Sequence, residues 1–324
     1  MKVLYGYKDI RKKLRDPVVA IGIFDGIHIG HKRVIKKILN LREPGRDRVV
    51  VTFDPHPQTV LRPERMPDRI MSLEHRLFIF EKMGLDAVVV ISFTGFIAMM
   101  PPEEFVKRVL LRMGTRKVYV GGNFYFGRGK TGDVRTFEKI GRDYGIDVRT
   151  VPPVKKGARV ISSTWLRRLI SSGDIEKAEK LLRRPVSVLG TVVSGDRRGE
   201  ALGIPTANID PHQEVIPPPG VYAVKVDIDG KLLDGVLNIG FKPTFYGRRL
   251  KKRKEPQIEV HIIGFKGDLY GRSLEIFFKR KLRREKRFKN EEMLKRQITK
   301  DVEQAKKILA SKKVLHKIRR YKYI

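Results

Sequence analysis

Residues 18–35, VVAIGIFDGIHIGHKRVI, constrain the fold more than any other stretch of the chain. Val18 to Phe24 is a short, nearly continuous apolar run, the pattern of a strand buried on both faces of a parallel sheet. Gly22 and Gly26 flank a tight exit from it. From about Gly30 the spacing turns helical, with Val34, Ile35, Ile38, Leu39 and Leu41 apolar and Lys32, Arg33, Lys36 and Lys37 polar. His28 and His31 therefore fall at the junction, on or just before the first helical turn. There the free backbone N–H groups and the positive end of the helix dipole favour an anion. Two imidazoles with Gly30 between them suit a polyphosphate: they can donate hydrogen bonds to it and carry positive charge as its own charge develops. In the competing reading one histidine caps the helix and the other packs in the sheet.

At 324 residues the chain is long enough for two domains, each with its own core. Cysteine is absent, which excludes disulfide frameworks, thiolate zinc sites and a cysteine nucleophile. No apolar run approaches the roughly eighteen residues of a membrane span, and the first residues lack a signal-peptide layout. A soluble, cytoplasmic protein without a membrane partner is expected. The 70 Lys+Arg against 36 Asp+Glu give a formal charge of +34, which attracts anions of every kind. No RNA-recognition, zinc-finger or KH pattern accompanies that charge. It reads as solvated surface, with nucleic-acid binding at most a secondary property. Oligomeric state, a homo-oligomer included, is left open.

The first half alternates strand and helix. Apolar strands are expected at Arg48–Asp54, Ala87–Phe93, Lys117–Gly121 and Asp147–Val151. Helices are expected over Ser72–Gly84, from Pro101 or Pro102 to Gly114, over Asp133–Gly145 and from Ile175 to Arg183. Such alternation predicts an α/β, Rossmann-like parallel sheet that binds ligands beyond the strands' C-terminal ends. His28 and His31, Asp54–His56 and Gly121–Gly127 all lie at such ends. Residues 121–132, GGNFYFGRGKTG, are not a Walker A loop, because Phe124 stands where its first glycine is required. The loop either presents Asn123 to a nucleotide's base or ribose, or is a turn capping the next helix. Ser162, Ser163 and Thr164 open another helix as caps. Arg167, one turn in, makes that helix start a second anion site, which with His28 and His31 could grip both ends of a triphosphate.

Near Arg183-Arg184-Pro185 the texture changes to short alternating strands separated by glycine and proline, favouring a small antiparallel barrel. Candidate strands are Val186–Val193, Gly220–Ile228, Lys231–Ile239, Gln257–Ile263 and Ser273–Leu282, with a closing helix from Asn290. Three features carry chemistry, each with a structural alternative: a mobile hairpin, a turn and an outward-facing glutamate. Gly195-Asp196-Arg197-Arg198-Gly199 through Gly203 is a basic loop able to fold amides and arginines over phosphates. Thr206 and Asn208, two residues apart on extended chain, project the same way as hard oxygen donors suited to Mg²⁺. Ile258, Val260 and Ile262 share one face of their strand while Glu259 and His261 share the other, and a carboxylate so fixed can position and deprotonate an alcohol.

His-x-Gly-His after a buried strand resembles the signature of the nucleotidylyltransferase superfamily. Together the motifs Gly22-x-Phe24-Asp25-Gly26-x-His28-x-Gly30-His31, Thr52–Pro57, Gly122-Asn123-Phe124-x-Phe126-Gly127 and Ile161-Ser162-Ser163-Thr164-x-x-Arg167 resemble the bacterial bifunctional riboflavin kinase/FAD synthetase family. So do Pro205-Thr206-Ala207-Asn208, Asn238-Ile239-Gly240-x-x-Pro243-Thr244, Glu259 and Gly267-Asp268-Leu269-Tyr270-Gly271 in the second half. The resemblance implies an FMN adenylyltransferase domain over 1–184 and a riboflavin kinase domain over 185–324, with the basic tail from Ser311 outside the shared pattern. It implies that ATP, with Mg²⁺, converts riboflavin to FMN and FMN to FAD, so that flavin is substrate and product. Glu259 would be the kinase base, and His28, His31 and Arg167 the adenylyl-transfer residues. Nucleotide and metal contacts would come from Gly22, Phe24, Asp25, Asn123, Ser162, Ser163, Thr164, Gly195, Arg198, Gly199, Thr206 and Asn208. Two departures stand out: Arg284 where the family has an acidic residue, and Arg183 where it has glycine. Rival readings are a nucleotidylyltransferase for another phosphorylated acceptor, loss of one activity, and a nucleic-acid-binding protein on an enzyme scaffold.

Overall fold

The computed structural model describes residues 1–8, 10–41, 43–65, 68–195, 203–241 and 256–310. It divides into two compact units, one from Met1 to Leu166 and the other beginning at Arg167.

The first unit is built on six parallel strands: β1 (Lys2–Tyr5), β2 (Val18–Ile21), β3 (Arg48–Asp54), β4 (Ala87–Ser92), β5 (Lys117–Gly121) and β6 (Asp147–Val151), in the order β1-β4-β3-β2-β5-β6. Val18 to Ile21 and Val49 to Val51 are buried on both faces. Each such side chain contributes roughly 1.5–3 kcal/mol of apolar burial, so the apolar runs select central strands. Around the sheet lie α1 (Ile29–Leu39), α2 (Pro57–Leu61), α3 (Leu73–Lys82), α4 (Gly95–Ala98), α5 (Pro102–Phe105, continuing as a wider π-turn over Val106–Leu111) and α6 (Val134–Asp143). The expected caps are in place: Ser72 Oγ accepts from His75 N (3.1 Å) and Asp133 Oδ1 from Thr136 N (2.8 Å). A small hairpin, β7 (Lys155–Lys156) and β8 (Arg159–Val160), precedes α7 (Ser163–Ser171). The strand expected over Val18–Phe24 stops at Ile21, because Phe24 adopts a left-handed backbone (φ +55°) that no strand continues through.

In the second unit α8 (Ile175–Leu182) leads into a closed antiparallel barrel. Its strands are β9 (Ser187–Val193), β10 (Ala207–Asp210), β11 (Gly220–Ile228), β12 (Lys231–Phe241), β13 (Pro256–Ile262) and β14 (Ser273–Arg283), in the order β10-β13-β12-β11-β14-β9. β10 is not among the strands expected from sequence; it has four residues, half of them polar, and too little alternation to be read. It closes the barrel against β9, where a Cβ on Gly190 would stand 2.3 Å from Ile209 Cγ2 and 2.7 Å from Asp210 O. Only glycine allows that approach. The terminal helix α9 (Glu291–Leu309) is capped by Asn290 Oδ1, which accepts from Met293 N (2.9 Å). It packs Ala305 and Leu309 on Val221, Ala223 and Val236. Buried Asp301 fixes it further by accepting a forked pair from Arg283 Nε (3.0 Å) and Nη2 (2.8 Å).

The departure at Arg183 has a structural meaning. It ends α8 in the left-handed region (φ +50°, ψ +33°) with its side chain exposed. A side chain there costs about 1–2 kcal/mol, partly offset by the greater unfolded-state freedom of glycine. Arg183→Gly is therefore expected to raise stability by about 0.5–1 kcal/mol in denaturant titration. An unchanged or lower midpoint would show that the arginine is held there by something other than its backbone.

Candidate active sites

The turn between β2 and α1 is strained and heavily braced. Phe24 (φ +55°) and Ile27 (φ +41°) are bulky residues in the left-handed region, with Gly26 (φ +85°) between them, and both are buried. Arg76 of α3, itself 3% exposed, braces the turn from below. Its Nη1 donates to Ile23 O (2.8 Å) and Thr52 Oγ1 (2.9 Å), and its Nη2 donates to Asp54 Oδ1 (3.1 Å). Asp25 Oδ1 accepts from Ile70 N (2.9 Å) and Met71 N (3.1 Å), and Ser163 Oγ donates to Asp25 O (2.7 Å). The Asp25 carboxylate thus faces backbone donors and builds the turn. Gly22 serves the same end, since a Cβ there would lie 3.0 Å from the Phe24 ring.

His28 is the N-cap of α1: its Nδ1 accepts from His31 N at 3.4 Å, which leaves the proton on Nε2. The two rings stack with centroids 3.7 Å apart and planes 17° from parallel, while Phe24 meets His31 edge-on at 5.4 Å. Gly30 makes this stack possible, because a Cβ would sit 3.0 Å from His28 Cε1. Burial pushes His28 down to about 4. Burial, with the neighbouring His28, holds His31 well below the usual imidazole range. Both rings are neutral at pH 7 in this state, so they offer N–H donors, and the positive charge expected as an anion's own charge develops calls for that anion's counter-charge. His31 Nδ1 is buried and has no hydrogen-bond partner among the described residues, an unmet polar group that a phosphate oxygen or bridging water would satisfy.

The remaining residues of this site are placed on their own elements. Asn123 is exposed on the loop after β5, behind which Phe126 packs on Phe137 with centroids 4.8 Å apart. Ser162 Oγ accepts from Trp165 N (3.3 Å), so Ser162 caps α7, and Thr164 is exposed. Trp165, the single tryptophan of the chain, lies under the Arg159 guanidinium at 4.4 Å. Arg167 follows Ser163 by one turn of α7 and is the first residue of the second unit.

In the barrel the strand register brings the second set together. Asn208 of β10 pairs with Glu259 of β13, and Asn238 of β12 pairs with the same Glu259 from the other side. Ile258, Val260 and Ile262 point into the core while Gln257, Glu259 and His261 share the opposite, half-exposed face. Gln257 Nε2 donates to Asn208 Oδ1 (3.0 Å) and to Glu259 Oε1 (2.8 Å), a contact absent from the sequence reading. His261 Nδ1 lies 2.8 Å from Pro205 O, tying down the residue before Thr206. The Gly195 backbone lies directly against the Asn208 amide, with no space for a Cβ. Arg198 and Gly199, together with Pro243 and Thr244, lie outside the described residues. Arg284 is exposed, and its neighbour Glu285 reaches the backbone of Gly240 beside Asn238.

The resemblance implies a divalent cation here, and the donor types can be compared with that. No cluster of three or more His, Cys, Asp or Glu side chains suited to a metal occurs among the described residues. Thr206 and Asn208 offer a hydroxyl and an amide oxygen, neutral hard donors. Such a pair fits Mg²⁺ carried with a nucleotide, whose phosphates and waters complete the shell.

A His-x-Gly-His turn above a parallel sheet, followed by a six-stranded barrel bearing amides and a carboxylate, defines a nucleotidylyltransferase-like unit joined to a second, barrel-borne site. A family model described as FAD synthetase matches residues 10–165, and one described as riboflavin kinase matches residues 182–309. The chain belongs to the bifunctional riboflavin kinase/FMN adenylyltransferase family. It is 33% identical to the protein of that name from Bacillus subtilis (strain 168) over 299 residues, covering 91% of this chain and 93% of the relative. It is 35% identical to that of Pseudomonas fluorescens over 312 residues, covering 96% and 98%. A solved structure from Streptococcus pneumoniae, described as a macrolide-efflux protein, is similar with a TM-score of 0.79 and 27% identity over 94% of this chain and 99% of that one. That description concerns the Streptococcus protein; among the described residues here no helix is long and apolar enough to cross a membrane.

Two predictions follow from the first site. Arg76→Met leaves the Ile23 carbonyl, Thr52 and Asp54 without their shared donor in a buried place. It should cost about 3–5 kcal/mol in denaturant titration of the first unit. The second concerns acid. Because the folded pKa of His28 lies below its unfolded value of 6.5, the unfolded chain takes up protons first as pH falls. Stability is therefore complete above about pH 6.5 and declines toward pH 4. Between pH 7 and pH 5 His28→Gln should lose less stability than the native chain, by on the order of 2 kcal/mol.

Proposed function

We propose that the two constellations work on consecutive forms of one vitamin, the barrel first and the parallel-sheet site second. The chain phosphorylates riboflavin to FMN with ATP, and adenylylates FMN to FAD with a second ATP, releasing pyrophosphate. We assign the adenylyltransferase to a domain over 1–184 and the kinase to a domain over 185–324; the family matches at 10–165 and 182–309 support that division.

In the kinase, Glu259 accepts the proton of the ribityl 5′-hydroxyl as that oxygen attacks the γ-phosphorus of ATP; the bond to the bridging oxygen breaks and ADP leaves. Thr206 and Asn208 are the residues that would hold Mg²⁺, which when bound neutralises phosphate charge. The resemblance also gives Gly195, Arg198 and Gly199 to the nucleotide's phosphates, and of these Arg198 and Gly199 lie outside the described residues. The observation that carries this assignment is the register that sets Glu259 directly opposite Asn208.

In the adenylyltransferase, a phosphate oxygen of FMN attacks the α-phosphorus of ATP and pyrophosphate leaves. A phosphate monoester is already an anionic nucleophile, so this step calls for alignment and charge stabilisation, without a strong base. His28 and His31 contribute N–H donors and, once the anion is bound, positive charge. Ser163 and Arg167 contribute a hydroxyl and a guanidinium. Gly22, Phe24 and Asp25 shape the turn that receives the phosphates, and Ser162 and Thr164 set the start of α7. Asn123 is the contact to base or ribose. The reactions belong to the cytoplasm, with ATP, riboflavin and FMN as partners. The positive surface charge assists anion capture without making nucleic acid the main ligand.

Incubation with riboflavin, ATP and Mg²⁺, resolved by chromatography, tests both halves. His28→Ala should halt the sequence at FMN, with FAD formation down about a hundredfold or more. Glu259→Ala should block FMN formation by a similar factor yet leave supplied FMN convertible to FAD. Loss of both activities in either folded variant would contradict two independent sites.

A further inference from the structure

We propose that Gln257 is a positioning residue of the kinase site, holding Glu259 and Asn208 in one arrangement through a single shared amide. The inference rests on the reading of Glu259 as the base. Gln257 and Glu259 are two residues apart on β13 and so project from the same face, and Asn208 faces them across the β10–β13 ladder. A primary amide nitrogen carries two hydrogens and can serve two acceptors at once. Here one goes to Asn208 Oδ1 at 3.0 Å and the other to Glu259 Oε1 at 2.8 Å, both within normal hydrogen-bond length.

The consequence is geometric. A glutamate on a half-exposed strand face has three side-chain torsions to settle before its carboxylate can meet a substrate hydroxyl. The Gln257 donor selects the rotamer that brings Oε1 beside Asn208, and the same nitrogen sets which atom of the Asn208 amide, oxygen or nitrogen, faces Gln257. Neither restraint touches substrate. Both act by ordering these groups ahead of the reaction, and a misplacement of about 1 Å at such a site costs on the order of a hundredfold in rate. The residue is separate from the barrel core, since its neighbours Ile258 and Val260 are the buried members of the strand.

The experiment is a double-mutant cycle on the full chain, with Gln257→Leu, Glu259→Gln and the pair, reading riboflavin phosphorylation and FMN adenylylation separately. Gln257→Leu is expected to lower kcat for FMN formation by about ten- to a hundredfold with little change in KM for riboflavin. Adenylylation of supplied FMN should be untouched, which certifies the concentration of folded protein. On top of Glu259→Gln, Gln257→Leu should cost much less than it does alone, because its hold on the carboxylate no longer matters and only its hold on Asn208 remains. A crystal structure of Gln257→Leu should show the Glu259 side chain in a different rotamer. Effects that multiply in the pair, an unchanged kcat in Gln257→Leu, or an unmoved carboxylate would each overturn the proposal. If Glu259→Gln alone leaves FMN formation intact, the assignment of the base has failed instead, and with it the ground for this inference.

Discussion

The first unit depends on one buried guanidinium. Arg76 reaches from α3 to the ends of two neighbouring strands, engaging Ile23 O after β2 and Thr52 and Asp54 at the end of β3. Those ends carry the histidine turn and the Asp54–His56 loop. Backbone strain at Phe24 and Ile27 persists because such contacts over-determine it. A lysine could satisfy one or two of these acceptors as a point charge; the planar fork of arginine meets all three groups. The histidines are thus downstream of a structural cation they never touch.

The two sites solve opposite electrostatic problems. The histidine pair sits where charge is disfavoured, stacked and desolvated, and so meets an incoming polyanion with neutral donors whose protonation the anion itself must promote. The barrel site keeps its carboxylate half-exposed on a strand and hydrogen-bonded. An attacking alcohol needs somewhere for its proton to go, whereas a phosphate monoester does not. On the proposed assignment, the residue types follow the nucleophiles.

Much of this was legible in the chain, and the gaps have physical causes. The apolar runs of β2 to β5 read correctly because a central parallel strand excludes polar residues from both faces. The terminal helix read correctly from its start at Asn290. Alternation around Ile258 and Val260 placed Glu259 on the outer face, but a two-residue period fixes only the face, not the partner across the ladder. Asn208 opposite Glu259 therefore came only with the register, and Gln257 gave no signal beyond lying two residues from a chosen glutamate. β10 escaped because its existence depends on the space left by Gly190, which lies in another strand. The depressed basicity of His28 and His31 follows from burial, with the neighbouring His28 adding to it for His31, and burial at this turn has no sequence period. Arg183 was legible as an anomaly, and its left-handed backbone explains why glycine would be expected there.

Closure of the barrel has a consequence for how the second unit can meet other molecules. Every strand from β9 to β14 has a neighbour on each side, so among the described residues none of the six is an edge strand open along its whole length. The parallel sheet, by contrast, ends in β1 and β6, each paired on one side only. Among the described residues, templated association by main-chain pairing is thus a hazard chiefly of the edges β1 and β6, and the closed barrel is left to bind mainly through side chains and connecting loops.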